Sequence, residues 1–162
     1  MNTKKTNNKF KVVLSVGDES GIGPEIILKA LHSNEIPENV EFILVGSKKN
    51  LQNTYIRLLS LGLKNIANPN KLAIHDLTIS SSHRDPVTNY GDSSFYYLIK
   101  AIEIVKQYPN SALVTGPICK KSWSLAGHHF SGQTEVLAKS CGVNNVGMLF
   151  TAKSPITGWR FN

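Results

Sequence analysis

Cysteine is scarce in this chain: Cys119 and Cys141 are the only two. That is too few for a disulfide framework or a zinc cluster, so reduced thiols are expected. No apolar run reaches the roughly 20 residues a bilayer span needs, and no low-complexity tract interrupts the chain. Acidic residues are also few. Asp and Glu number 11 against 18 Lys and Arg, a formal net charge of +7. Nucleic acid is still a poor partner, because the lysines are scattered and no basic and aromatic alternation appears. Four of the charges, Lys4, Lys5, Lys9 and Lys11, stand at the N-terminus without the apolar segment and cleavage site of a signal peptide. Residues 1–10 therefore read as a basic flexible tail. The expected location is cytoplasmic, with no membrane partner.

What is present fits one α/β domain. At 162 residues, 41% hydrophobic and 18% charged, the chain can bury an ordinary core. It is organised around Gly17-Asp18-Glu19-Ser20-Gly21-Ile22-Gly23-Pro24-Glu25, which joins an expected strand, Lys11 to Val16, to a helix starting near Pro24. Three glycines in seven residues suit a tight crossing and a close backbone approach. Proline fits the first helical position, and Glu25 sits where the helix dipole favours negative charge. The free N–H groups at such an end can receive an anion. The spacing matches neither G-x-G-x-x-G nor a phosphate-binding P-loop.

The helix is expected to run to Ser33, followed by a buried strand, Val40 to Gly46. Ser47 is placed to cap a helix over Lys48 to Leu61, with Leu51, Tyr55, Leu58 and Leu59 on one face and Gly62 ending it. Leu72 to Leu77 reads as a short third strand and Thr78 to Asp92 as an irregular polar connection. Asp92 or Ser93 then caps a helix to Tyr108. Ala112 to Thr115 and Val146 to Phe150 read as two further strands. The alternation predicts a mostly parallel sheet with right-handed crossovers and helices on both faces. Ligands of such sheets gather at the carboxyl ends of the strands, so the loops after Gly17 and after Thr115 are expected to face one site.

Thr115-Gly116-Pro117-Ile118-Cys119-Lys120 places a hydroxyl, a bare backbone and an ammonium after a buried strand. Lys120 can pair with a phosphate as a point charge, or be a solvated helix lysine. Trp123 reads as core. Cys119, beside two lysines, reads as a bystander thiol. From Ser93 onward seven Lys or Arg face only Glu103 and Glu135, a bias that favours an anionic small substrate. Ser131-Gly132-Gln133-Thr134-Glu135 opens a helical run, Val136 to Cys141, and can either hold an anion or cap the helix.

GDESGIGPE resembles the GDPAGIGPE-type opening of the 4-hydroxythreonine-4-phosphate dehydrogenases of vitamin B6 synthesis, and more distantly the GDGIGPE opening of the isopropylmalate and isocitrate dehydrogenases. The later order, Thr115-Gly116-Pro117, Lys120, Ala126-Gly127, Phe130, Gly132, Thr134 and Glu135, resembles the same B6 family. The resemblance implies an isocitrate/isopropylmalate dehydrogenase-like fold, here incomplete, over residues 11–162. It implies oxidation of a phosphorylated amino acid by NAD or NADP with decarboxylation, a divalent metal held by histidines beyond residue 162, and a homodimer. Substrate contacts carry over to Gln133 and Thr134, with Lys120 as the phosphate contact; no catalytic residue is assigned. Gln133 replaces the family histidine and cannot hold a proton near neutral pH, so an acid-base role there is lost while hydrogen bonding survives. Cys119 likewise stands where a histidine is often found. His32, His75, His83, His128 and His129 fall outside the family's metal positions and read as surface residues. The resemblance thus points to an N-terminal portion, expected to be inactive alone and to leave unpaired strand edges and apolar surface. A non-catalytic phosphate-binding module and a relative of the isopropylmalate dehydrogenases are the alternatives.

Overall fold

The computed structural model describes residues 9–79 and 85–161. Residues 1–8 of the expected tail, His83 and part of the expected irregular connection lie outside the described residues. The chain divides into two compact units, 1–130 and 131–162.

The first unit is built on a four-stranded parallel sheet of β1 (Phe10–Ser15), β2 (Val40–Gly46), β3 (Ile74–Asp76) and β4 (Ser111–Thr115), in the order β3-β2-β1-β4. Phe10, read from sequence as tail, already pairs with Val40. The register runs Val13 against Ile43 on one side and against Leu113 on the other. Apolar composition explains the central pair: Val13, Leu44 and Val45 are fully buried, and each such side chain contributes about 1.5–3 kcal/mol. β1 leads through α1 (Gly23–Ala30) to β2, and β2 through α2 (Lys48–Ser60) to β3. The path then reverses. α3 (Pro86–Val105) carries the chain back across β2 and β1 to β4. With right-handed crossovers that reversal puts α1 and α2 on one face and α3 on the other. A short helix, α4 (Lys120–Leu125), follows β4 and packs along α3.

Local chemistry sets the ends of these elements. Ser47 caps α2 by accepting from Asn50 N at 3.1 Å, and Gly62 follows at φ +85°. α3 begins well before the expected cap at Asp92. Asp85 is its N-cap, accepting from Val87 N at 3.3 Å and Thr88 N at 3.2 Å, and Pro86 takes the first turn. The expected irregular connection was a misreading there, because Gly91 and the polar residues around it hid a buried helical turn. Thr88, Gly91 and Ser94 are all buried. Gly91 is where α3 meets α4, with no room for a Cβ against the Ser122 carbonyl. β4 is an edge of the sheet, and Val114 joins Leu14, Ile26 and Ile27 in an apolar groove of about 220 Å³.

The second unit contains α5 (Gln133–Cys141) and a two-stranded antiparallel ribbon, β5 (Ala152–Lys153) with β6 (Arg160–Phe161). α5 ends at Gly142, φ +68°, where Val143 N returns to Ala138 O at 3.1 Å. The expected buried strand Val146 to Phe150 is contradicted: those residues are exposed and form no strand. A five-residue apolar run carries no period that distinguishes a strand from an uncovered connection. Among the described residues no helix is long and apolar enough to cross a membrane.

Candidate functional site

β1 and β4 are parallel neighbours, so the loops leaving their carboxyl ends emerge side by side. Asp18 N donates to Pro117 O at 2.8 Å and Gly116 N to Ser15 O at 2.8 Å. Gly17 turns between them at φ +78°, where a Cβ would lie 2.3 Å from Pro117 O. Only glycine combines that φ with that approach. The glycine-rich turn and the Thr115–Lys120 loop thus share one end of the sheet, as strand order alone predicts.

The turn carries carboxylates rather than bare N–H groups. Asp18, 8% exposed, accepts from Ser20 N at 2.9 Å and Ser20 Oγ at 2.7 Å. Glu19 folds inward: its Oε1 accepts from Tyr97 Oη at 2.5 Å and from Ser47 N at 3.3 Å. Glu25 is engaged by Lys29 at 2.7 Å and Arg57 at 3.3 Å. An anion brought to the first turn of α1 would meet Asp18 and Glu19, so the cationic face of the site falls to the β4 side. There Lys120 opens α4 and is exposed. Thr115 ends β4, and Cys119 is the N-cap of α4. The Cys119 thiol is held below its usual range, first by a hydrogen bond from the Ser122 side chain and then by the Ser122 and Lys121 backbone. Trp123 is fully buried and donates from Nε1 to Ser94 Oγ at 2.8 Å.

His128 corrects the surface reading of the histidines. It is 14% exposed, its Nε2 lies 2.8 Å from Asp92 Oδ1, and its ring stacks on Phe95 at 3.8 Å. Phe130 stacks on the same Phe95 at 5.7 Å, so this aromatic cluster fastens the segment after α4 to α3. The other described histidines, His32, His75 and His129, are exposed. Gln133 and Thr134 occupy the first turn of α5 in the second unit, behind an extended N-cap, Gly132 at φ 172°. No side chain caps that end, which sets aside the Ser131 and Glu135 capping arrangement and leaves an N-terminus lined by an amide and a hydroxyl.

Burial raises the Glu19 pKa above the usual glutamate range, with Asp18 and Asp76 adding to the effect, while the Tyr97 and Ser47 hydrogen bonds oppose it. Burial, followed by the Glu19 charge, pushes the Tyr97 phenol far above its ordinary value. The native chain therefore holds the Glu19 proton more tightly than the unfolded chain does. This contribution to stability is fully present below the unfolded pKa and is lost as pH rises through the raised one. Glu19→Gln keeps the acceptor oxygen and removes the titration. Its stability by urea denaturation is expected to exceed wild type above that window, with the gap closing below it. Tyr97→Phe should do the reverse, costing about 1.5–3 kcal/mol at neutral pH through the lost donor.

Among the described residues no group of three His, Cys, Asp or Glu is placed to hold a metal ion. The described residues by themselves therefore do not make a catalytic metal site.

Comparison with known proteins bears on the family and on the fold. The family described as pyridoxal phosphate biosynthetic protein PdxA matches residues 38–157. A 4-hydroxythreonine-4-phosphate dehydrogenase of a Nostoc species is 41% identical over 166 residues, covering 97% of this chain and 46% of the relative. One from a Synechococcus species is 42% identical over 154 residues, covering 94% and 46%. The chain thus spans about half the length of the curated relatives it matches. The crystal structure of a 4-hydroxythreonine-4-phosphate dehydrogenase from Burkholderia phymatum shares the fold, with a TM-score of 0.70 at 20% identity over 85% of this chain and 45% of that one. The corresponding structure from Klebsiella pneumoniae superposes with a TM-score of 0.63 at 25% identity, over 82% and 44%.

Proposed function

The chain belongs to the pyridoxal phosphate biosynthetic protein PdxA family, and on that premise we propose that it is the N-terminal portion of an NAD- or NADP-dependent 4-hydroxythreonine-4-phosphate dehydrogenase. The reaction is oxidation of the 3-hydroxyl of 4-phosphooxy-L-threonine with loss of the carboxyl as carbon dioxide, giving 3-amino-2-oxopropyl phosphate in the route to pyridoxal phosphate. The observation that carries this reading is the adjacency of the Gly17 turn and the Thr115–Lys120 loop at the carboxyl end of a parallel sheet, each loop bearing its part of the family's sequence order.

The roles of this chain's residues follow from their chemistry. Lys120 meets the substrate phosphate as a point charge. Thr134 and Gln133 hydrogen-bond the substrate; Gln133 donates and accepts but moves no proton, so proton transfer belongs to other groups. Gly17 and Gly116 keep side chains out of the place where the two loops meet. A divalent metal would polarise the reacting oxygen; its ligands, like most of the nicotinamide surface, are assigned to sequence outside these residues. The working form is a soluble cytoplasmic homodimer.

The test pairs two proteins. The 162 residues alone, given substrate, NAD and a divalent metal, are expected to form no NADH. A chimera in which they replace the matching portion of the Nostoc relative is expected to turn over. Turnover by the 162 residues would place the metal ligands within this chain, against the assignment made here.

A further inference from the structure

Glu19 stands where the GDPAGIGPE-type signature has proline, and Ser20 where it has alanine. Gly21 N donates to Asp18 O at 3.2 Å, which closes Asp18–Gly21 into a β-turn with Glu19 at its second position. No non-glycine residue among those described has positive φ. Ser20 therefore cannot occupy the third position of a type II turn, and the turn is type I. Proline is favoured at the second position of such a turn because its ring sets φ before folding. Glu19 has no ring, but it has attachments that a proline could not make. Its carboxylate takes hydrogen bonds from Tyr97 Oη on α3 and Ser47 N at the cap of α2.

We propose that Glu19 is a positioning residue of the candidate site, doing with side-chain hydrogen bonds what the signature's proline does with its ring: it holds the Asp18–Gly21 turn against α2 and α3 and so keeps Gly17 beside Gly116 and Pro117. The titratable groups that face it are Asp18 on its own turn, Asp76 at the end of β3 and Tyr97 on α3. Asp18 supports the turn from within through its two bonds to Ser20. Asp18 N in turn reaches across to Pro117 O, so disorder in the turn reaches the β4 loop through a single residue. The part of this inference that concerns a ligand rests on the function proposed above; the part that concerns the turn does not.

The experiment compares the 162-residue chain with its E19A, E19Q and E19P variants. Amide hydrogen exchange is measured over residues 17–23, and affinity for O-phospho-L-threonine by calorimetry. E19A is expected to exchange faster by roughly tenfold or more, the fold-change of one lost charge-assisted hydrogen bond. E19Q keeps the acceptor and stays closer to wild type. E19P loses every side-chain bond yet regains the fixed φ, so it should restore protection, with affinity following the same order. A side chain that merely fills space would leave E19P no better than E19A. E19P exchanging as fast as E19A, or E19A as slowly as wild type, overturns the proposal. If none of the four binds O-phospho-L-threonine while the exchange order holds, the functional reading fails and the positioning role stands.

Discussion

Gly17→Ala is expected to lower the stability of this chain by about 2–5 kcal/mol and to remove whatever binding the two loops support. Two costs add. A residue with a Cβ in the left-handed region costs roughly 1–2 kcal/mol, and Gly17 sits at φ +78°. The new Cβ would also lie 2.3 Å from Pro117 O and 2.8 Å from Gly116 C. Both are backbone atoms fixed by β4 and cannot swing aside as a side-chain tip can, so the overpacking adds about 1–3 kcal/mol. Gly62→Ala is the control. Its φ is +85° with nothing within 4 Å of the added Cβ, so it carries the conformational cost alone. Urea denaturation of the two variants separates the terms. A Gly17→Ala chain no less stable than Gly62→Ala would mean that the two loops do not touch as described.

The second large effect belongs to Gly91→Ala, and its sign is the informative part. In an exposed helix interior alanine is better than glycine by about 1 kcal/mol, so a reading of α3 by propensity predicts stabilisation. Here the added Cβ would lie 2.1 Å from Ser122 O and 2.3 Å from Ser122 C. The expected outcome is destabilisation by about 1–3 kcal/mol or more, because α4 must move off α3 to admit one methyl group. Trp123 reports that movement. Its indole is fully buried and bonded to Ser94, so its fluorescence should shift to the red in the variant as it gains contact with water. Lys120, at the start of α4, moves with it. A stabilised variant with unchanged fluorescence would contradict the close helix pair.

These two glycines illustrate how far the residues could be read without coordinates. Gly17 was legible, because a strand running into three closely spaced glycines and a proline predicts a tight crossing. Val40 to Gly46 and the Ser47 cap were legible for similar reasons of composition and local hydrogen bonding. Gly91 was not, since a glycine amid Thr88, Asn89 and Asp92 reads as connection until the partner backbone is seen. The signal that would have placed the start of α3 was Asp85-Pro86, a capping carboxylate followed by a first-turn proline. Glu19 was missed because a charged residue in a glycine-rich turn reads as solvated, and its partner Tyr97 is 78 positions away. His128 was misjudged for the same reason, its partner Asp92 lying 36 positions back. Val146 to Phe150 failed in the opposite direction, being apolar without being covered.

The family assignment came from residue order and the site from strand order, and they meet in the claim that these loops serve a phosphorylated hydroxy amino acid. The most direct measurement is NADH formation by the chimera that joins this chain to the remainder of the Nostoc relative, supplied with 4-phosphooxy-L-threonine, NAD and a divalent metal. Turnover that falls sharply when Lys120 is changed to methionine is the predicted result. A chimera that folds as cooperatively as the intact relative, yet leaves the substrate unoxidised, would contradict it.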